Sequence, residues 1–563
     1  MLSVVVMGAI GLTALAGVLS WSMTNVQLNQ RNNQYFRTVA AAEAATEKVL
    51  AAICTHYQQD GEAIVANNMY NYRRTVPLPS EDAVWGQYEF SNGYRTGRTW
   101  VENTAPLEFK VLDAQYRGLR GWATDYRVIA NARELQARFN IQAGVEQNVQ
   151  VATIPLFQFA IFYNLDLEIN PGPAMTVDGP VHGNTNIYLQ PVNQLTFQSD
   201  ITAAARIIHG KKPGDPINRS GGTIIYHGEH DSGVSTLNLP IGTNNSPAAV
   251  RGVVEIPPVS EDPNSPMGKQ RYYNKADLVI LVRDAAAGGT MVTSGRANNF
   301  ATVVPASQHG LFLNTAKTFT NLRENKTIKT TEIDLAKLAQ WNATNTLIRP
   351  LCPMGDIRVI YVDDQRSQTS GTQPGVRLVN GAEILPKGLT VATPDPLYVL
   401  GHFNAPSASR GTHDTSLTRP ASLIGDAITV LSPSWSDSRS SQSLSNRRAS
   451  ATTVNAAFLA GIVQTVSGSY SGGVENFPRF LEDWNNVQFT YNGSMVVMYP
   501  SQIATAPWTG TGTYYNPPIR DWAWDRNFGD PTKLPPGTPS MRALIRGQWT
   551  LLRPNWTPWA PTD

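Results

Sequence analysis

The residues that come closest to a metal site are His227, Glu229, His230 and Asp231, which lie within one short segment. A helix that binds catalytic zinc carries two histidines four residues apart, with a glutamate between them. The two histidines here are three residues apart, and Gly228 beside them favours a turn. We therefore expect a solvated hairpin turn in this segment and no metal site.

Two further segments contain residue types that do chemistry in enzymes. Asp363 and Asp364 follow a strand-like run and could bind a cation or exchange a proton, but aspartates at strand ends usually initiate turns. The glycines around Tyr470 are similar in spacing to a nucleophile elbow, which requires a serine where the tyrosine stands. A glycine-rich phosphate loop is also missing from the sequence. We expect no catalytic, cofactor-binding or metal-binding residue.

The N-terminal thirty residues contain no charged side chain, and no proline occurs before Pro77. Residues Met1 to Met23 are apolar or small, and as a helix they are long enough to cross ~30 Å of hydrocarbon. Apolar residues continue at spacings of three and four as far as Tyr57. This pattern predicts one uninterrupted helix of about 55 residues, roughly 80 Å long.

Two ordinary explanations of this helix compete with a more specific one. A cleaved secretory signal begins with a positively charged region, whereas no Lys or Arg precedes the apolar run here. A plain single-span membrane anchor fits the composition but leaves the long amphipathic continuation unexplained.

The motif Ala41-Ala42-Glu43-Ala44-Ala45-Thr46-Glu47 begins forty residues after the start of the apolar run. An apolar N-terminal helix with this motif resembles type IV pilins, in particular the minor-pilin group with a PilX-type N-terminus. The resemblance implies assembly into a filament through the helix, with Glu43 and Glu47 among the assembly residues. Segments of the C-terminal half, such as ENFPRFLEDW, are similar to large pilus-assembly-like proteins to which no activity is attached.

Small residues in the apolar run, Gly8, Gly11, Ala14 and Gly17, would let neighbouring helices approach closely. Most pilins also carry a glutamate at the fifth mature position, which neutralises the N-terminal amine of a neighbouring subunit. Val5 stands there if the numbering begins near the processed terminus. Because an unpaired charge in an apolar core is costly, the resemblance implies a tip-initiating or otherwise unusual subunit.

The overall composition of the 563 residues fits an exported protein. Charged residues make up 16% and the formal net charge is +2, which gives no electrostatic case for binding nucleic acid or an anionic membrane surface. The cysteines are Cys54, near the end of the helix, and Cys352. In an oxidising compartment they could form a disulfide, and two buried thiols are the alternative.

A weak repeat follows the helix. Three apolar positions recur twenty residues later, matching Val177, Val181 and Ile187 with Phe197, Ile201 and Ile207. Short strands and polar turns with this period are typical of β-helix coils, although an antiparallel sandwich can have the same spacing.

We therefore predict an α+β chain, in which a long N-terminal helix precedes a large mainly-β body, in part a β-helix, with a few short helices. Short helices are expected near residue 331 and at 452–464 and 474–485. The predicted segments are the pilin-like helix (1–57), stem-proximal mixed strands (58–150), a β-rich body (151–435) with an insertion at about 311–375, and C-terminal helices, strands and a Trp/Pro-rich tail (436–563). We expect the body to fold without the helix.

The favoured function is that of a non-enzymatic pilin-like subunit that assembles with copies of itself or other pilin-like subunits. It would lie in the inner membrane before assembly and at the cell surface, in an extracellular filament, afterwards. One alternative is a filament-tip adhesin or pseudopilin that binds a glycan or a surface, which predicts a concave aromatic groove. Another is a membrane-anchored wall-active hydrolase, which predicts converging carboxylates with shifted pKa values.

Overall fold

The computed structural model describes residues 1–296 and 299–553, which fall into two compact units. The first unit comprises Met1–Thr153 and the chain from Arg542 onwards, and the second comprises Ile154–Met541. Helices account for 24% of the residues and strands for 34%. The predicted fold class is confirmed, because a long N-terminal helix precedes a large β-rich body with a few short helices.

The first unit combines helices with an antiparallel sheet. The sheet order is β1–β3–β4–β30, and β2 pairs with β3. Its elements are α1 Leu2–Asp60, α2 Glu62–Asn67, α3 Met69–Tyr72, β1 Tyr88–Ser91, β2 Trp100–Val111, β3 Arg120–Glu134, β4 Gln142–Pro155 and, at the end of the described chain, β30 Ser540–Leu552.

Helix α1 runs without interruption for 59 residues, about 88 Å at 1.5 Å per residue. From Gln34 onwards one face of the helix is buried in the first unit. Val49, Leu50 and Ile53 are fully buried together with apolar side chains of β2, β3 and β4, and the Tyr57 hydroxyl lies 2.9 Å from the hydroxyl of Thr153. The second half of α1 is therefore part of the core of this unit.

The second unit consists of short strands, most of them paired in parallel. Its helices are α4 Pro247–Arg251, α5 Pro266–Gln270, α6 Tyr272–Lys275, α7 Ala306–His309 and α8 Leu335–Thr344. Its strands are β5 Ile161–Tyr163, β6 Leu167–Ile169, β7 Met175–Val177, β8 Val181–Gly183, β9 Ile187–Leu189, β10 Gln194–Phe197, β11 Ile201–Ala203, β12 Ile207–His209, β13 Thr223–Tyr226, β14 His230–Ser232, β15 Leu278–Val282, β16 Met291–Ser294, β17 Leu313–Asn314, β18 Thr318–Asn321, β19 Lys326–Asp334, β20 Val359–Asp364, β21 Thr372–Val379, β22 Leu389–Ala392, β23 Leu397–Leu400, β24 Ala421–Gly425, β25 Ile428–Leu431, β26 Thr452–Ile462, β27 Pro478–Phe480, β28 Gln488–Pro500 and β29 Ile519–Trp524.

Residues 161–232 form a first β-helical stack. Three parallel ladders define its faces: β7–β10–β13, β5–β8–β11–β14 and β6–β9–β12. The register pairs the positions that repeat in the sequence, matching Val177 with Phe197, Val181 with Ile201 and Ile187 with Ile207. The twenty-residue repeat is therefore a β-helix coil, and the sandwich alternative is wrong because sandwich strands of this spacing would pair antiparallel.

Residues 326–500 form a second β-helical stack with longer coils. Strands β20–β22–β24–β26–β28 lie in one parallel sheet, and β19–β21–β23–β25–β27 lie in another. Strand β28 also pairs in parallel with β5. A single twelve-stranded sheet consequently runs through both stacks. The chain enters this sheet near its middle, coils to one end and returns from the other.

The prediction of an insertion at about 311–375 is wrong. The strands of this segment are built into the second stack. β19 pairs in parallel with β21 along its length, from Thr327 to Asp334. β19 is rich in Lys and Thr, so its sequence lacks the runs of apolar residues by which the neighbouring coils are recognised. The predicted helix in this region exists but begins at Leu335, where Asp334 Oδ1 accepts the backbone N–H of Lys337 at 3.1 Å.

The helices predicted at 452–464 and 474–485 are wrong. The first segment is strand β26, which is buried at almost every position between β24 and β28. Because both faces of β26 are buried, its sequence lacks a strict alternation of apolar and polar residues, and periodicity alone does not distinguish it from a buried helix. In the second segment Pro478 begins strand β27, which agrees with the confinement of proline to the first residue of a strand or an edge.

The boundary predicted at 150/151 lies close to the observed division after Thr153. The predicted C-terminal segment from 436 does not form a unit of its own. Its residues up to Met541 belong to the second unit, and the chain from Arg542 belongs to the first. Residues 554–563 of that segment lie outside the described residues.

Candidate functional site

The apolar half of α1 is the first candidate site. Its most apolar 18-residue window has a mean hydropathy of 2.3, and none of it is buried. By length and composition alone α1 could cross a membrane. This is a weak indication, because signal sequences near an N-terminus meet the same criteria of length and hydropathy. The predicted packing residues Val5, Gly8, Gly11, Ala14 and Gly17 all lie here and are exposed. A Cβ atom added at each of the three glycines would meet no atom within 4 Å.

The predicted motif from Ala41 to Glu47 has a different environment. Ala41, Ala42 and Ala45 are buried against small and apolar side chains of β1, β3 and β4. Glu47 forms a two-point ion pair with Arg546 of β30, with Nη2 and Oε2 2.7 Å apart. Glu43 is exposed. Within the chain, the alanines and Glu47 therefore fasten the helix to the sheet of its own unit.

The cysteines are both free thiols, so the disulfide considered from the sequence is not formed in this structure. Cys54 lies in α1 and is half-buried, and Cys352 in the second unit is buried. Burial raises the pKa of both thiols, that of Cys352 to about 12. Because the thiolate is the reactive form, we expect Cys352 to react slowly in the folded protein.

The histidine-containing segment connects β13 to β14 at a corner of the first stack. It is not a hairpin, because β13 pairs in parallel with β10 and β14 with β11. His230 stacks on Tyr226 with ring centroids 4.4 Å apart. A Cβ atom at Gly228 would lie 2.5 Å from the carbonyl carbon of Ser199, so the close passage of the two coils requires glycine. Over residues 1–296 and 299–553, no three His, Cys, Asp or Glu side chains are grouped to hold a metal ion.

Asp363 and Asp364 end strand β20 at a corner of the second stack. Asp364 accepts a bond of 2.9 Å from the Nε of Arg366, and its backbone N–H donates to Asp395 Oδ2 at 2.8 Å. Burial raises the pKa of Asp363 to about 6 and that of Asp395 well above its usual range. Both residues line a cavity of about 340 Å³ with Glu255. The bond between Asp395 and the backbone of Asp364 ties one coil to the next.

A cleft of about 1160 Å³ on the second unit is a second candidate site, and we did not predict its position from the sequence. The turn that precedes β7, the loop 217–220 and the segment 508–522 contribute to its walls. Trp508, Tyr515 and Trp522 supply aromatic surface. The Trp508 indole N–H donates to the Tyr515 hydroxyl at 2.8 Å, which fixes the relative positions of these two rings.

The charged side chains that line this cleft are compensated. Two arginines, Arg219 and Arg520, face two carboxylates, Glu475 and Asp521. The Arg219 guanidinium forms a 2.8 Å ion pair with a buried aspartate. Asp521 Oδ1 lies 2.8 Å from the Nε2 of His413. The side chains of the cleft therefore present little net charge to a ligand.

Three polar atoms of the cleft-lining residues are buried without a hydrogen-bond partner: Asn170 Oδ1, Glu475 Oε2 and Trp522 Nε1. The other carboxylate oxygen of Glu475 accepts the backbone N–H of Asn170 at 2.7 Å. Burial raises the pKa of Glu475 to about 7. Each of the three atoms has almost no accessible surface, so a ligand in the cleft reaches none of them without a shift of the side chains.

No family model matches the chain, and no curated protein matches it. Among solved structures, the chain is similar to the competence-associated pilin ComZ from Thermus thermophilus, at 12% sequence identity over 92% of this chain and 98% of that chain. The TM-score of this match is 0.28, which is too low to establish a common fold.

Proposed function

We propose that this chain is a non-enzymatic, pilin-like subunit of a type IV pilus-like filament at the cell surface. The observation that carries the proposal is the division of α1 into two halves. From Gln34 onwards one face of the helix is buried in its own unit, whereas the large apolar side chains from Leu2 to Leu28 are exposed in the described chain. The resemblance of the motif from Ala41 to Glu47 to type IV pilins supports the same function.

The exposed half of α1 needs an apolar environment both before and after assembly. Removing a large apolar side chain from water stabilises a protein by about 1.5–3 kcal/mol, and such side chains extend along the helix from Met1 to Leu28. The inner membrane covers this surface before assembly, and the helices of neighbouring subunits cover it in the filament. Gly8, Gly11 and Gly17 then allow the helix backbones to approach closely.

Substitution in the apolar half of α1 tests the proposal. We expect Gly11→Arg to abolish incorporation into surface filaments, because a charge in an apolar helix core costs several kcal/mol. Asn32→Arg places the same charge on the same helix beyond the apolar run and serves as the matched control. The measurement is the amount of each variant in sheared surface filaments relative to the amount in the membrane. Normal incorporation of Gly11→Arg would contradict the proposal.

The adhesin alternative is supported by one observation, the aromatic cleft of the second unit, since a concave aromatic surface is what that alternative predicts. For the hydrolase alternative, Asp363 and Asp395 line one cavity and have the shifted pKa values that it predicts. We propose no catalytic role for them, because the bond from Asp395 to the backbone of Asp364 accounts for its position.

A further inference from the structure

The aromatic cleft of the second unit has the properties of a binding site for a specific class of ligand. Its volume of about 1160 Å³ lies above the range of about 300–1,000 Å³ in which proteins hold drug-sized ligands. The space therefore suits an oligomer better than a single small molecule. Trp508, Tyr515 and Trp522 offer ring surface, and exposed asparagines at positions 218, 485 and 486 line the same space.

The exposed asparagine amides indicate the polar chemistry of the ligand. Each amide donates through its NH₂ group and accepts through its oxygen, and Asn218, Asn485 and Asn486 are accessible from the cleft. A ligand that carries only acceptors, such as a phosphate ester, would leave the amide oxygens unpaired, and an ammonium group would leave the amide NH₂ groups unpaired. Hydroxyl groups both donate and accept, so a polyhydroxylated ligand can pair with both ends of each amide.

The compensation of charge within the cleft argues against a strongly charged ligand. Arg219 is already paired with Asp215, and Asp521 with His413. The Nε of Arg520 donates to the backbone carbonyl of Glu475 at 3.0 Å. A polyanion would have to break these contacts to gain a cation. An uncharged ligand can bind without disturbing them.

We propose that this cleft binds a neutral oligosaccharide, with the aromatic rings against the apolar faces of the sugar and with the amides of Asn218, Asn485 and Asn486 bonded to its hydroxyl groups. Sugar rings combine an apolar C–H face with a rim of hydroxyl groups, and aromatic surface beside paired polar groups complements both. The inference is independent of filament assembly, because binding is a property of the second unit.

Binding to the purified full chain in detergent tests the inference. The probes are cellohexaose, maltohexaose and chitohexaose, titrated to roughly 1 mM, a concentration that detects free energies of binding down to about −4 kcal/mol. The readouts are calorimetry and saturation-transfer NMR. We expect at least one of the three hexasaccharides to bind. Failure of all three to bind would overturn the proposal, as would binding of only polygalacturonate or a short oligothymidylate, both of which are polyanions.

Variants then locate the binding. We expect Trp522→Ala to weaken it by about tenfold or more, which corresponds to about 1.4 kcal/mol. Ile519→Arg, at an exposed wall position where folding is not at risk, should also weaken it. Trp549→Ala removes a partly exposed tryptophan of β30 and is the matched control, with unchanged affinity expected. The assignment of the ligand to this cleft would be overturned if Ile519→Arg left the affinity unchanged and Trp522→Ala either also left it unchanged or did not fold.

Discussion

Asp426 provides the sharpest test of how the second stack is held together. Its carboxylate is fully buried and accepts a bond of 2.6 Å from the Nη1 of Arg251, which is itself only 3% exposed. It also accepts the backbone N–H groups of Gln502, Ile503 and Ala504, at 2.6, 3.1 and 2.7 Å. Replacement by alanine removes all four bonds and leaves three backbone donors without an acceptor.

The expected loss of stability follows from these contacts. Breaking a buried ion pair by removing one partner costs about 3–5 kcal/mol, and each buried donor left unsatisfied costs about 1–3 kcal/mol. Arg251 keeps Glu255 and the carbonyl of Pro394 as partners, and water can reach part of the freed backbone. We therefore expect Asp426→Ala to lower the free energy of unfolding by about 4–6 kcal/mol, a large part of the 5–15 kcal/mol that is typical of proteins.

Urea unfolding of the full chain in detergent, followed by tryptophan fluorescence, measures this loss. Asp178→Ala is the matched control, because Asp178 pairs with an exposed Arg526 at 3.3 Å in the same unit. Surface pairs of this kind contribute about 0–1 kcal/mol. A loss for Asp426→Ala that equals the loss for Asp178→Ala would refute the reasoning. If the variant does not fold, Asp426→Asn, which keeps an acceptor oxygen, should restore folding with lower stability.

Three further predictions follow from burial. Removing residues 1–28 should leave a folded chain that is soluble without detergent, whereas removing residues 1–60 should abolish cooperative unfolding of the first unit, as circular dichroism melts will show. Burial raises the pKa of Glu482 from its ordinary value of 4.5 to about 7, so the native protein binds more protons than the unfolded chain between these values and loses stability as pH rises through them. Glu482→Gln should therefore be more stable than the parent at pH 8 by up to about 3 kcal/mol and no more stable at pH 4; an equal effect at both pH values would contradict this. Thiol labelling without reductant should find two reactive thiols per denatured chain and slow reaction of Cys352 in the native protein, and fewer than two would show that Cys54 and Cys352 are bridged.

The parts of the fold that were predictable are those with a strong local period. The uncharged run before Arg31 and the stripe that ends at Tyr57 predicted α1, and the twenty-residue repeat predicted the register of the first stack. The second stack also repeats, since Asp364, Asp395 and Asp426 recur every 31 residues. That period was missed because long, irregular loops separate its short strands.

Other features depend on contacts that no local pattern shows. β26 was mistaken for a helix because both of its faces are buried. The second half of α1 supplies core side chains of the first unit, so we expect that unit to need the helix, and folding of the body without the helix stays a prediction. The cleft brings together residues as distant in sequence as Asn170 and Trp522. In the sequence, the cluster of tryptophans near the C-terminus was the one indication of this cleft.

Cryo-electron microscopy of purified surface filaments, with this chain identified in the density, tests the central proposal most directly. The proposal predicts that residues 2–28 of α1 lie inside the filament, in contact with the corresponding helices of neighbouring subunits, while the rest of the chain lies outside the filament core. Filaments that lack the chain, or a chain attached to them through its β-helical stacks with residues 2–28 outside the filament core, would contradict the proposed function.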